Sequence, residues 1–389
     1  MNPIDNPYTP GAGTRPYELV GRDHLRDDLK VSIARLKKAK PSKSMLLVGL
    51  RGVGKTVLLE QMRQDVEALN VHTIYVEAPE NRSLPSLLSP QLRLTLLKLS
   101  RIEKSKDAAQ RALKALAGFA KSLKVTYGDI EVGFDQEPEA GLADNGDLEA
   151  DLTALMVEVG LAAKAAETAL VIFIDELQYV KTEQFAALIT ALHRCAQLKL
   201  PVTLVGAGLP QLRGLAGNAK SYAERLFSYP EVGALDKAAA KKAIVNPARE
   251  EGVLFDNDAV AEIFQKTQGY PYFIQEWGSQ TWDLAESSPI TQQDVISSSE
   301  LTVAKLDESF FRVRFDRLTP NEKSYLYAMA LLGPGPHRSG DIADSMNKRV
   351  SDVAPVRNSL IKKGMVWAPN HGDTAFTVPL FDEFMVRVM

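Results

Sequence analysis

The sequence predicts an α/β domain on a parallel sheet, followed by a helical lid and a C-terminal winged helix domain. Three observations carry that reading. A short apolar strand runs through a Gly-rich turn into an amphipathic helix and on to a second strand. A later apolar strand ends abruptly in two carboxylates. The last part of the chain spaces three helices ahead of a pair of short strands.

Composition sets the outer limits. At 389 residues the chain suggests two or three domains rather than one. Its 45% hydrophobic and 24% charged content leave enough apolar residues to bury a core. A net charge of −3 gives no global pull toward nucleic acid or anionic membrane, so any such contact must come from a local patch. Cys195 is the single cysteine, which excludes internal disulfides and cysteine-rich zinc sites and fits a reducing compartment. The first residues lack the basic and apolar regions of a signal peptide, and no window approaches a membrane span. A cytoplasmic chain with no membrane partner is the expectation.

Residues 1–20, rich in Pro and Gly, are expected to lie extended over a neighbouring element. From Arg22 to about Ala39, Leu25, Leu29, Ile33 and Leu36 recur at helical spacing until Pro41 breaks the pattern. Met45–Val48 reads as a strand, the stretch through Leu58, Leu59, Met62 and Val66 as a helix, and Thr73–Val76 as the next strand. Residues 81–150 look like an insertion. Its 98–124 half carries eight Lys and Arg against two acids, and 125–163 carries ten acids with no Lys or Arg. The basic half is either a partner surface or a solvated face balanced by the acids beside it. Between them, Val125–Tyr127 and Ile130–Val132 flank Gly128-Asp129 as a plausible hairpin. Ala169–Ile174 is a buried strand, 183–198 a helix, Val202–Val205 a strand, and Gly206–Gly217 a loop. Residues 236–312 are mostly helical.

The sharpest signal is Gly49-Leu50-Arg51-Gly52-Val53-Gly54-Lys55-Thr56, which fits G-x-x-x-x-G-K-[ST] at each fixed position. Glycines let backbone N–H groups close around phosphates, and the helix that follows adds a partial positive charge. Lys55 supplies a mobile cation for the β- and γ-phosphates, and Thr56 a hydroxyl for Mg²⁺. An independent signal is Val171-Ile172-Phe173-Ile174-Asp175-Glu176, a Walker B pattern. Asp175 suits the Mg²⁺ shell, and Glu176 suits polarisation of an attacking water. ATP and Mg²⁺ are therefore the expected ligands of an α/β P-loop NTPase, with Glu176 and Lys55 as catalytic candidates.

On these residues the chain resembles AAA+ ATPases, in particular the prokaryotic branch close to origin-recognition ATPases and the STAND signalling ATPases. Leu19-Val20-Gly21-Arg22 is similar to the segment that packs on adenine in that family, which implicates Val20 and Gly21. Tyr222-Ala223-Glu224-Arg225-Leu226-Phe227 resembles the region carrying an arginine finger, which makes Arg225 the third catalytic candidate. Gly269-Tyr270-Pro271 is similar to the G-x-P motif of the STAND lid and adds Pro271 to the nucleotide contacts. Two departures stand out. Gly206-Ala207-Gly208 occupies the place of a polar sensor, and Pro271-Tyr272-Phe273 lacks the usual sensor arginine. Both imply slow hydrolysis or a nucleotide-dependent switch.

Residues 318–389 read as a winged helix-turn-helix. Thr319-Pro320-Asn321-Glu322 has the form of a helix start with a capping box. A short helix follows at about Ser339–Met346, then a third at about Ser351–Lys363 ending at Gly364. Met365–Trp367 and Ala375–Val378 flank a wing-like turn at Asn370–Asp373. The third helix would read DNA, with Lys348, Arg349, Arg357, Lys362 and Lys363 on phosphates, assisted by Arg338 and His371. With eight Lys/Arg against seven Asp/Glu over 318–389, a protein partner is the competing reading.

The expected organisation is an AAA+ nucleotide-binding domain at 1–235 with its insertion at about 81–150, a helical lid at 236–317 and the winged helix domain at 318–389. The expected activity is ATP hydrolysis by a nucleotide-gated switch acting on double-stranded DNA, with ATP-dependent homo-oligomerisation if Arg225 acts in trans. The alternatives are a STAND-like switch whose C-terminal domain binds a protein, and an ATPase helper of a transposition or phage-defence system.

Overall fold

The structure is a computed structural model that describes residues 1–11, 13–17, 19–78, 82–123 and 137–389. It separates into two compact units, one comprising 22–48 and 55–231, the other 1–21, 49–54 and 232–389.

The first unit follows the order α1 (Asp23–Lys37), β1 (Ser44–Val48), α2 (Lys55–Glu67), β2 (His72–Glu77), α3 (Leu84–Leu99), α4 (Lys106–Leu123), α5 (Leu148–Ala165), β3 (Leu170–Asp175), α6 (Thr182–Gln197), β4 (Val202–Gly208), α7 (Leu212–Ala219), α8 (Ala223–Leu226) and β5 (Phe227–Ser228). All five strands run parallel in the order β2-β3-β4-β1-β5. Every residue of β1, β3 and β4 is buried, which is why these strands are apolar runs rather than alternating ones. The register Met45↔Val205 and Phe173↔Val205 brings the ends of β1, β3 and β4 to one edge of the sheet. In α1 the predicted Leu25, Leu29, Ile33 and Leu36 are the buried residues.

The insertion is a helical layer. Leu88, Leu92, Leu116, Phe119, Leu155 and Val159 from α3, α4 and α5 join one core with β3 and α6. Buried Asp151 accepts hydrogen bonds from the backbone N–H groups of Asn145 (2.9 Å) and Gly146 (2.8 Å), which fixes the turn leading into α5. Arg111 pairs with Glu158 of the acidic half at 3.5 Å, and Lys104 pairs with Glu167, just beyond that half, at 2.9 Å. The predicted hairpin over 125–132 lies outside the described residues. The expected Gly206–Gly217 loop is shorter than its composition suggested. Strand β4 continues to Gly208, and Leu212 and Ala216 bury one side of α7.

In the second unit the N-terminal segment forms only a 3₁₀ turn, Pro3–Asp5. Tyr8 is buried, its hydroxyl donating to the Ile244 carbonyl, and an added Cβ on Gly278 would stand 2.5 Å from its ring. Helices α9 (Lys237–Glu250), α10 (Asn257–Thr267), α11 (Pro271–Leu284) and α12 (Gln292–Lys305) lead through a π-helical turn, Leu306–Phe311, into α13 (Arg312–Phe315). Then come α14 (Pro320–Leu331), β6 (His337–Arg338), α15 (Ser339–Ser345), α16 (Val350–Lys362), β7 (Val366–Trp367), β8 (Asp373–Phe376) and α17 (Phe381–Val388). Strand β8 lies antiparallel between β6 and β7.

The capping box predicted at Thr319 and Glu322 is present. Strand β8 lies two residues earlier than the expected Ala375–Val378, and Thr377 just after it donates both its N–H and its hydroxyl to the Met365 carbonyl at 3.0 Å. Strand β6 is too short to show alternation in sequence. The ring of Phe384 in α17 stacks on Phe311 with centroids 5.3 Å apart. Among the described residues no helix is long and apolar enough to cross a membrane.

Candidate functional site

In the first unit, the end of β3 and the start of α2 meet. Asp175, 2% exposed, receives a hydrogen bond from the Thr56 side chain and one from the Glu176 N–H at 2.8 Å, with the Lys55 ammonium close enough to act on it. Burial pushes the Asp175 carboxyl above the usual range, and the Thr56 and Glu176 hydrogen bonds and the Lys55 charge oppose that rise. Lys55, Thr56, Asp175 and Glu176, chosen from two separate motifs, are thus brought together. Oxygen ligands from Thr56 and Asp175 suit a hard divalent cation such as Mg²⁺. Glu176 sits in the left-handed region at φ +50°, a conformation that a non-glycine residue holds at a cost of about 1–3 kcal/mol.

Gln178 is the residue that sequence reasoning missed. Its Nε2 donates to Glu176 Oε2, and its Oε1 accepts the Leu209 N–H at 3.1 Å. A Cβ on Gly208 would come within 2.5 Å of that oxygen. The one available signal was the bare Gly206-Ala207-Gly208 stretch, which leaves room for a side chain from elsewhere.

In the second unit, Gly49–Gly54 forms a loop whose Gly52 and Gly54 take φ of +78° and +86°. These values explain the glycines, since L side chains rarely adopt them. A Cβ on Gly49 would stand 2.1 Å from the Val232 carbonyl oxygen. The Tyr272 N–H donates to the Gly52 carbonyl at 3.2 Å, so α11, opened by Pro271, begins against this loop. Leu50 and Val53 complete the loop; Val53 is buried. Val20 is buried in the helical core with Leu235 and Ala239, and Gly21 packs on the same two residues.

Residues 18–205 match a family model described as AAA ATPase domain. The match agrees with the resemblance read from the sequence, and a domain of that description implies nucleotide binding. A second model, described as Domain of unknown function (DUF8462), matches residues 308–385. Among solved structures, the Walker-type ATPase PABY2304 of Pyrococcus abyssi is similar over 96% of this chain and 97% of its own, at TM-score 0.58 and 15% identity. Orc1 of Aeropyrum pernix in complex with DNA is similar over 96% and 94%, at TM-score 0.48 and 16% identity. The RuvB Holliday junction branch migration motor of Thermotoga maritima is similar over 94% and 96%, at TM-score 0.44 and 16% identity. No curated protein matches the chain.

Arg225 lies beyond the end of the matched AAA domain, in α8 just ahead of β5. Strand β5 pairs Phe227 with Ser44 at the beginning of β1. That places Arg225 at the opposite sheet edge from Asp175. It lines a cavity of about 560 Å³ with Lys43, His193 and Tyr222. No ion pair to Arg225 is present among the described residues.

The C-terminal cations divide into two groups. Lys348, Arg349 and Lys362 are exposed, Arg349 paired loosely with Asp352 at 3.2 Å. Exposed Arg338 and His371 flank the Ser339–Gly372 hydrogen bond of 2.8 Å. Arg357 instead donates to Thr374 Oγ1 and to the Asp373 carbonyl, both at 2.7 Å. Lys363 is spent on Glu322 at 2.7 Å.

Proposed function

We propose that the chain binds ATP with Mg²⁺ through the Gly49–Thr56 motif, hydrolyses it slowly and uses the nucleotide state to gate contact with double-stranded DNA. The gathering of Lys55, Thr56 and Glu176 on buried Asp175 carries the first part. Bound Mg²⁺ would neutralise charge developing on the β- and γ-phosphates. Thr56 and Asp175 supply its protein oxygens, Lys55 brings a cation to the phosphates, and Glu176 accepts the proton of the attacking water. Val20, Gly21 and Pro271 are assigned to the rest of the nucleotide. Slowness follows from Pro271-Tyr272-Phe273, where the resemblance would place a sensor arginine and the sequence has none.

Because Arg225 and Asp175 occupy opposite sheet edges, Arg225 is assigned to the phosphates held by a second copy, which makes the active form an ATP-dependent homo-oligomer. The domains are assigned as 1–235, 236–317 and 318–389, the last as a winged helix with α16 as the reading helix and β7–β8 as the wing. Exposed Lys348, Arg349 and Lys362 support DNA as its partner. The use of Arg357 and Lys363 in bonds within the chain favours a second reading, a STAND-like switch with a protein partner.

Two measurements test this. Glu176→Gln is expected to bind ATP and stop turnover, and normal turnover would remove Glu176 as the base. Anisotropy of labelled duplex DNA is expected to show binding that weakens steeply with salt and differs between ATP and ADP. Absence of binding at low salt with either nucleotide selects the protein-partner reading.

A further inference from the structure

The geometry points to Gln178 as a positioning residue for hydrolysis, one that orients the Glu176 carboxylate and ties it to the end of β4. The inference rests on the reading of Glu176 as the base. Gln178 follows Glu176 by two residues, in the 3₁₀ turn Leu177–Tyr179. Its amide makes two bonds of opposite sense, donating from Nε2 to Glu176 Oε2 and accepting at Oε1 from Leu209 N–H, 3.1 Å away. The partners themselves set the orientation of the amide, because a carboxylate can only accept and an N–H can only donate. A glutamate could not donate to Glu176, a leucine could do neither, and an asparagine is one methylene short.

The same geometry accounts for the glycine at the end of β4. The space beside Gly208 is filled by the Gln178 side chain, whose oxygen would be 2.5 Å from any Cβ there. A polar group therefore does stand at the end of β4, supplied from the turn after β3 instead of from β4 itself. With Oε2 held by the amide, Glu176 keeps Oε1 to take the proton of a water.

The test compares Gln178→Leu, Gln178→Asn and Gln178→Glu with Glu176→Gln, measuring ATP affinity with a fluorescent analogue and steady-state turnover. Gln178→Leu and Gln178→Asn are expected to lower kcat at least tenfold while ATP affinity stays within threefold, which a loss of folding would not produce. Gln178→Glu keeps the length but cannot donate to Glu176, so kcat is expected to fall at least tenfold with ATP affinity again within threefold. If Glu176→Gln is inactive while all three Gln178 variants keep the wild-type kcat, the inference is overturned and the assignment of the base stands. If Glu176→Gln turns over normally, the assignment of the base falls and the inference with it.

Discussion

The backbone N–H of Arg51 donates to the carbonyl of Thr377 at 3.0 Å. Arg51 is the residue before Gly52 in the glycine loop, and Thr377 follows β8. The Arg51 side chain adds a long contact from Nε to the Gly364 carbonyl at 3.5 Å. The Thr377 hydroxyl reaches back to the Gly364 and Met365 carbonyls. One buried threonine thus joins the loop, the turn after α16 and the end of the C-terminal sheet. The loop expected to hold phosphates and the module expected to hold a partner share a direct backbone link.

Replacing that hydroxyl tests how much the link contributes. Thr377→Val keeps the shape and the backbone carbonyl and removes the donor to Gly364 and Met365. The Met365 carbonyl keeps the Thr377 N–H and the Gly364 carbonyl keeps the long Arg51 contact, so the loss is that of a hydrogen bond, about 0.5–1.5 kcal/mol. Urea unfolding is expected to show that loss with an unchanged slope, and the ATP affinity of the variant to change with it. Stability and affinity both equal to wild type would show the link to be inert.

The start of α2 makes a separate prediction. Lys55→Ala is expected to abolish ATP binding. Thr56→Ala removes one of the two protein oxygens, from Thr56 and Asp175, assigned to Mg²⁺. Calorimetry is expected to show binding of ATP with Mg²⁺ weakened at least tenfold and binding of ATP without Mg²⁺ little changed. Thr56→Ser keeps the hydroxyl and should behave as wild type. Equal losses with and without Mg²⁺ would assign Thr56 to the fold rather than to the ion.

How much of this was legible in the sequence depends on whether the signal was local. The glycine loop and the Asp175-Glu176 pair were legible because their chemistry demands fixed spacing on a strand–loop–helix frame. Gln178 was not, since its role appears only when the bare backbone at Gly208, thirty residues on, is seen beside it. The charges of Arg357 and Lys363 were legible, but their partners Thr374, Asp373 and Glu322 lie at distances along the chain that no periodicity connects. Arg225 was proposed from its surroundings in sequence. Its position at the opposite sheet edge from Asp175 required the register of β5 on β1.

That division of the C-terminal cations gives a prediction with two opposite outcomes. Lys348→Ala, Arg349→Ala and Lys362→Ala remove exposed charges. Each is expected to weaken DNA binding and to lower the dependence on salt by about one ion, with little effect on stability. Arg357→Ala removes the bonds from α16 to the wing and is expected to lower the melting temperature first. If Arg357→Ala alone weakened DNA binding while the melting temperature held, Arg357 would be the contact and the exposed group would not.

Glu322 gives the pH prediction. Burial alone would raise its carboxyl, but Lys363, the Thr319 N–H and the Ser359 hydroxyl outweigh burial and hold it down at about 2, against an ordinary value of 4.5. A carboxyl lowered by folding stabilises the folded state fully above its unfolded value. That stability is lost as pH falls through the window from about 4.5 to about 2. The shift corresponds to about 3 kcal/mol at neutral pH. Glu322→Gln is therefore expected to be less stable than wild type by about that amount at pH 7, with the gap closing as pH falls through the window and gone near pH 2. Urea unfolding followed at pH 7, 4 and 2.5 would show it. A gap of constant size across the three would mean that Glu322 acts through the shape of its capping box and not through its charge.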